Sequence, residues 1–452
     1  MTCNHHNCDY SKYENDLCIF HCDKQEWVNE DYEIDDTLEK WDKYKIEFFW
    51  EKFNSLEENQ LNQYIFPYFS NEEYKKDEVS FEECLFLDDV IIKNYVKNKL
   101  EFNNCTFKSS TINIKNDMEF FIFNQSLIEN NSCVIEIQES KIINSEISNL
   151  KNKFCTFIFQ NCILEKCKFI KSETKVLNMN NVKLVEKSTL IIENIVVEKF
   201  YLEKVSQKAD YIQFNNIKIL KYLKFHKIEF ANTYFNNFNI EEITGSITID
   251  KTSFDGAKFN LFLWGNISKI NASRDTFRQL KYVLDEQEDY IQANNFFVME
   301  MKKYKEELKT KSGVYWQDKL IFSINEHISD FGRNWFLSML WFLAISLFLL
   351  NILNLHCSND YNHIFPYSIS LFLIYLGSIK NKLFNITAIM LVFNLYYSYM
   401  VDYNSFNQFA NFLNLKLQNE FKNYSFLWFM HKLLASFVLY HFVIAIRRQT
   451  KR

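Results

Sequence analysis

Between Val79 and Ile267 large apolar residues recur every five positions, a step that fits neither an α-helix nor an ordinary β-strand. It is explicit in Phe102, Phe107 and Ile112; in Ile137, Ile142 and Ile147; in Phe159, Leu164 and Phe169; and in Phe254, Phe259 and Trp264. A small residue often stands two places earlier, as Cys84 before Phe86, Cys105 before Phe107, Ser140 before Ile142, Ser145 before Ile147, Cys162 before Leu164, Cys167 before Phe169 and Ala257 before Phe259. The pattern predicts a square coil with one five-residue side per repeat. The large side chain fills the centre and the small one fits beside it. With only 6 Gly and 2 Pro in 452 residues, the corners fall to Asn, Asp and Ser, which tolerate tight turns.

The stretches SFDGAKF (Ser253 to Phe259) and NCILEKCKF (Asn161 to Phe169) resemble the pentapeptide-repeat family. The resemblance covers about two fifths of the chain. It implies a degenerate right-handed quadrilateral β-helix over 79–270, with Ser, Cys and Thr often in place of Ala. The phase is poor from Val176 to Leu223, where irregular or looped rungs are expected. Repeat coils are quasi-one-dimensional, need capped ends and present surfaces to partners. The six cysteines from Cys84 to Cys167 read as small core fillers. The isolated His226 reads as structural.

The N-terminus reads MTCNHHNCDYSKYENDLCIFHCDKQEW, and residues 1–28 are expected to form a small zinc knuckle. Cys3 and Cys8 give one ligand pair, and Cys18 with His21 or Cys22 gives the second. Four of these five fill a tetrahedral structural zinc site, because thiolate and imidazole then leave no position for water. A disordered, Cys-containing tail is the alternative. Residues 29–78 are expected to form a helical cap whose aromatic face holds Trp41, Tyr44, Ile46, Phe48, Phe49 and Phe53. From the polar start no secretory leader is expected, and a reducing compartment would favour metal ligands or buried thiols over disulfides.

After the coil, 271–312 predicts a helical connector. Ser273 or Asp275 caps its start, and Phe277, Leu280 and Leu284, then Ile291, Val298, Met301 and Leu308, share an apolar face. Asp285 to Asp289 interrupts it, so a helical hairpin competes with one rod. TFRQLK followed by QANNFFVMEM resembles a helical module of membrane-bound relatives in that family, which implies mechanical coupling of coil to membrane. Lys302, Lys303, Lys305, Lys309 and Lys311 read either as contacts to anionic head groups or as a solvated face. Residues 313–334 then predict an amphipathic juxtamembrane helix, with Trp316, Trp335 and Trp341 in an interfacial belt.

The last segment, 335–452, holds apolar runs at 335–353, 364–379, 383–400 and 426–446. A crossing helix needs roughly 20 apolar residues, which the outer runs supply and the middle two approach. Lys380 and Lys382 lie between the middle runs, Arg447, Arg448, Lys451 and Arg452 follow the last, and His356 to His363 carries no Lys or Arg. The expectation is a four-helix transmembrane domain in a bacterial inner (cytoplasmic) membrane, with the N-terminal body and the C-terminus in the cytoplasm. His431, Lys432 and His441 form a candidate intramembrane polar site, weighed against simple hydrogen bonding between helices. No T-V-G-Y-G filter is present, so a potassium-selective channel is not supported.

A net charge of -6 argues against a nucleic-acid surface. No phosphate loop, Rossmann fingerprint or metalloprotease helix is present, which points away from an enzyme. The expected function is a non-enzymatic, membrane-anchored recognition scaffold whose coil binds a cytoplasmic protein partner and couples it to the lipid bilayer. Homo-oligomerisation is open. The alternative is a pore-forming or ion-channel-like effector gated by the cytoplasmic domain.

Overall fold

The computed structural model describes residues 3–357, apart from 5–7, 9, 15–16, 29–40, 57–59, 68, 71–76, 94–95, 97, 109–110, 129–132, 151–153, 208–210 and 311–315, together with 413 and 425–450. The chain divides into two compact units, Met1–Val283 and Leu284–Arg452.

The first unit is built on a parallel β-solenoid of about 9 turns. Leu61, Phe81, Phe102, Phe123, Ile147, Phe169, Ile192, Phe214, Phe235 and Phe259 pair in register as one inward column. A second column runs through Val90, Ile112, Ile135, Phe157, Leu177, Phe200, Leu223, Ile247 and Ile270. Phe102 and Ile112 of the two columns stand ten residues apart with the buried Phe107 between them, so each step of five residues moves the chain from one face of the coil to the next. The centre is close-packed: Phe66 stacks on Phe86 at 4.9 Å, Phe86 on Phe107 at 4.8 Å, and Phe81 on Phe102 at 5.0 Å. These separations equal the spacing of adjacent strands, so each ring lies directly over its neighbour in the next coil.

The six repeat-region cysteines are fully buried, and several donate weak S–H bonds to the preceding coil. Cys84 reaches Leu61 O at 3.3 Å, Cys105 reaches Phe81 O at 3.4 Å and Cys162 reaches Ile137 O at 3.2 Å. Burial pushes the Cys162 and Cys167 thiols up to about 11. They act as small hydrophobes and stay protonated.

The same corner of every coil adopts a left-handed conformation. Gln63, Glu83, Asn104, Gln125, Asn149, Lys171, Asn194, Asn216, Asn237 and Leu261 all have φ between 48 and 60°. Half of them are Asn, the non-glycine residue that enters this region most readily. The corner amides add a ladder, in which Asn216 Nδ2 donates to Asn194 Oδ1 and Asn237 Nδ2 to Asn216 Oδ1, both at 2.9 Å.

From Val176 to Leu223 the expected irregularity is confined, among the described residues, to two places, Leu184/Thr189 and Ile219/Tyr222, where the register with the preceding strand shifts. Long strands Lys183–Glu203 and Tyr211–His226 carry the coil through this stretch. Inward Leu190, Ile192, Ile195, Val197, Phe200 and Leu202 keep the centre filled. Aliphatic residues replace the small-plus-large pairs there, which hides the five-residue signature while preserving the packing.

Helix α1 (Lys43–Asn54) closes the first coil. Asp42 caps its N-terminus by accepting from the backbone of Tyr44 and Lys45. Its buried face presents Phe49 and Phe53 to Phe66 at 6.0 and 5.4 Å, and Trp50 to Phe69 at 5.7 Å. Trp41 Nε1 ties the segment to Asp88 Oδ2 at 3.0 Å. At the other end α2 (Arg274–Glu286) begins beyond the strand Ile270–Ala272, with Ser273 Oγ accepting from the Thr276 N–H and with Phe277 and Leu280 fully buried.

The second unit holds α3 (Tyr290–Thr310), α4 (Trp316–Ser329), α5 (Trp335–Cys357) and α6 (Ser425–Thr450). Glu288, at φ 63°, and Asp289 separate α2 from α3, and the Asp289 carboxylate caps α3 at Gln292 N. The expected four-helix transmembrane domain is corrected here. Among the described residues there are six α-helices, and one stretch, Phe426–Arg448, is long and apolar enough to cross a membrane. The runs 364–379 and 383–400 lie outside the described residues. The run 335–353 falls in α5, whose Ser338 and Ser346 are fully buried and bonded to Ile328 O and His431 Nε2. Apolar composition reports a side chain's solvent preference; packing against other helices answers it as well as lipid does.

Replacing Phe102 by Ala removes a ring held between Phe81 and Phe123, and is expected to destabilise the first unit by about 3–5 kcal/mol. Lys171→Gly, which relieves a left-handed corner, should stabilise by up to about 1 kcal/mol. Chemical denaturation of the two variants beside the parent checks both signs.

Candidate metal centre

The knuckle is built from two short backbone turns. Cys3 N–H donates to Tyr10 O at 2.8 Å, which folds the first ligand pair back on itself. His21 and Cys22 N–H both donate to Cys18 O, at 3.1 and 3.0 Å, forming one helical turn that brings Cys18 and His21 onto the same side. Cys18 N–H donates to Cys3 Sγ at 3.0 Å, joining the two turns through a sulfur acceptor.

The ligand atoms of Cys3, Cys8, Cys18 and His21 all lie within 4.8 Å of one another, and all four residues are buried. Cys18 Sγ stands 3.1 Å from His21 Nδ1 and 3.5 Å from Cys8 Sγ, and Cys3 Sγ is 3.9 Å from His21 Nδ1. Ligands about 2.3 Å from a tetrahedral ion sit roughly 3.8 Å apart, so the set brackets the required size. The cysteines are free, and 3.5 Å is far beyond a covalent S–S bond of about 2.05 Å. Burial is the main influence on the Cys8 thiol, pushing it up to about 12, and it raises Cys18 as well. A divalent cation held here would supply the positive charge that lets such thiols ionise.

The structure chooses between the competing ligands. Cys22 turns away and its thiol points to Ile19 O at 3.6 Å, leaving His21 as the fourth donor. A C-x2-H or C-x3-C spacing fits one helical turn equally well, so only the backbone path separates them.

No protein-family model, curated protein or solved structure matches the chain.

The cluster is coupled to the solenoid. Phe20, between the ligands Cys18 and His21, stacks on Tyr64 at 4.9 Å and meets Phe49 and Phe53 edge-on at 5.7 and 6.2 Å. Its carbonyl accepts from Ile65 N at 2.8 Å, and Tyr64 also touches the His21 ring at 5.2 Å. These contacts seat the knuckle directly on the first coil.

Lys24 has no counterpart in the sequence reading. It is fully buried, donates to Cys22 O at 3.2 Å, and lies 5.2 Å from the centres of both the Trp27 and Phe49 rings. Burial brings its ammonium down to about 8. A lysine this buried is rare, and its sequence context carries no sign of it.

His431, Lys432 and His441 do not form one site. His431 bonds Ser346 across two helices at 2.9 Å, Lys432 Nζ sits 4.4 Å from the Trp428 ring centre, and His441 packs on Phe437 and Tyr440 at 4.8 and 5.7 Å. Ten helical residues separate the two histidines, about 15 Å along the axis.

With Co(II) as a spectroscopic probe, Cys18→Ser and His21→Ala are expected to abolish or strongly weaken the thiolate-to-metal absorption, while Cys22→Ser keeps it. Titrated against pH, metal affinity should rise as protons leave the thiols. The metal-free protein should behave oppositely. Its raised Cys8 contributes stability that is complete below the ordinary thiol value near 9 and lost as pH climbs toward about 12. Thermal melts of the metal-free and Zn(II)-loaded protein across that window check the sign.

Proposed function

We propose that this chain is a non-enzymatic interaction scaffold, a zinc-capped β-solenoid of the pentapeptide-repeat kind held at a membrane by its C-terminal helix. The observation that carries this reading is a solenoid of about 9 turns in the same chain as a helix long and apolar enough to cross a bilayer. Phe426, Phe429, Leu433, Phe437, Tyr440 and Val443 recur at helical spacing along α6, and all are exposed. Such a stripe is costly in water and suits hydrocarbon.

Zinc is the metal of this reading because three thiolates and an imidazole close a tetrahedral site without leaving room for a substrate. Its role is structural: it holds the knuckle on the first coil, as a solenoid end needs. The ten free, buried cysteines among the described residues support a reducing, cytoplasmic side for the solenoid. The partner binds on the lateral faces, which repeat along the coil and offer a long, rigid platform.

Full-length protein should sediment with membranes, resist alkaline carbonate and dissolve in detergent. Phe437→Asp combined with Val443→Asp, each worth about 2.5–3.5 kcal/mol against insertion, should move it to the soluble fraction. Recovery of the parent protein in that fraction would overturn membrane anchoring. Elemental analysis of the same preparation should find one zinc per chain, and none in Cys18→Ser.

A further inference from the structure

The solenoid pairs many outward lysines with carboxylates one coil away, as Lys141 with Glu165, Lys218 with Glu242, Lys221 with Glu198 and Lys224 with Glu203. One corner breaks that habit. Lys204, Lys227 and Lys251 occupy equivalent positions on three successive coils, with left-handed φ of 51, 54 and 49°. The Lys204 N–H donates to His226 O and the Lys227 N–H to Asp250 O, which fixes the three in one column. Among the described residues none of them has a carboxylate partner, and neither has the neighbouring Lys183. All four are exposed. Adjacent coils lie only about 4.8 Å apart, so these charges repel along the column.

The four lysines line a groove of about 1010 Å³ in the side of the solenoid. Val205 and Ile228 contribute buried apolar surface to its wall, and Glu186 and Glu229 also line it. Among the described residues no aromatic ring does, so bases of a single-stranded nucleic acid would find no stacking platform. A ligand must instead bring several anionic groups spaced along the coil axis, and must be thin enough to avoid the two glutamates. An extended peptide meets both demands. Its alternate side chains project from one face about 6.6–6.8 Å apart, a repeat that flexible lysine stems on a 4.8 Å ladder can follow.

We infer that this groove binds an extended acidic peptide segment of a partner protein, with alternate carboxylates facing Lys204, Lys227 and Lys251. The inference rests on the scaffold reading and gives its partner a chemistry. The stacked lysines recognise charge, and the apolar wall accepts the intervening side chains.

Full-length protein in detergent micelles is titrated into a fluorescent peptide of roughly ten residues alternating Glu and Ser, with anisotropy as the readout. The Glu peptide should bind and weaken with added salt, whereas the matching Gln peptide should not bind. Combined Lys204→Glu, Lys227→Glu and Lys251→Glu should lower affinity at least about tenfold. Lys168→Glu with Lys171→Glu, elsewhere on the coil, should leave it unchanged. If the triple variant does not fold, the single changes Lys204→Gln and Lys227→Gln should each lower affinity about threefold. Equal binding of the Glu and Gln peptides, no binding of either, tighter binding of an oligothymidylate, or full affinity in a folded triple variant would each overturn the groove assignment. Carbonate extraction of the triple variant keeps the two readings apart. Retention in membranes together with any of those outcomes removes the acidic-peptide groove and leaves the anchored scaffold standing.

Discussion

Stacking of large side chains at the strand spacing is the interaction on which the first unit depends. Parallel coils fix the vertical distance, and Phe rings at 4.8 to 5.0 Å fill it without gaps. Each stacked pair adds about 0.5–1.5 kcal/mol to what burial of the rings already contributes. That surplus tolerates a left-handed corner in every coil, occupied by Gln, Glu, Lys and Leu as well as Asn. A chain almost without glycine can therefore turn as sharply as the coil demands, provided its centre is filled with large apolar side chains.

A stacked coil has a second requirement, because its terminal layers lack a neighbour. Here the first layer is covered by α1, whose Phe49, Trp50 and Phe53 continue the aromatic centre upward. The knuckle then rests on that helix through Phe20. Four buried donors stand within metal-binding distance of one another in this outermost layer; with an ion held there, as proposed above, the stability of the end of the solenoid would depend on metal supply. Lys24 beneath the knuckle illustrates the same economy of space: its stem packs between rings while its ammonium satisfies a carbonyl.

The lateral faces follow a different logic. Side chains that point outward repeat along the axis, so a lysine on one coil meets whatever the next coil offers. Across much of the surface that is a glutamate, and the coil is held by cross-coil ion pairs that are individually weak. At the Lys204 corner the repeat instead stacks like charge on like charge. The repeated geometry amplifies either choice, which makes a solenoid well suited to presenting a linear pattern of charge.

The sequence by itself determined the coil. Inward positions on every face must be apolar, and with five residues per side that demand writes itself into the spacing of Phe102, Phe107 and Ile112 or of Phe254, Phe259 and Trp264. It also determined the pool of candidate metal ligands, since Cys and His recur close together near the start of the chain. Tertiary structure alone decided the rest. Whether His21 or Cys22 faces the cluster depends on the direction of one backbone turn, and both satisfy the spacing. Between Val176 and Leu223 aliphatic pairs pack as well as small-plus-large ones, so the coil persists where its signature fades. Apolar runs near the C-terminus announced a need for burial without saying whether lipid or another helix meets it. Ser346 against His431 is a helix contact that only the folded chain reveals. Local spacing encodes which residues avoid water, while partner choice among them is set by contacts between residues far apart in the chain.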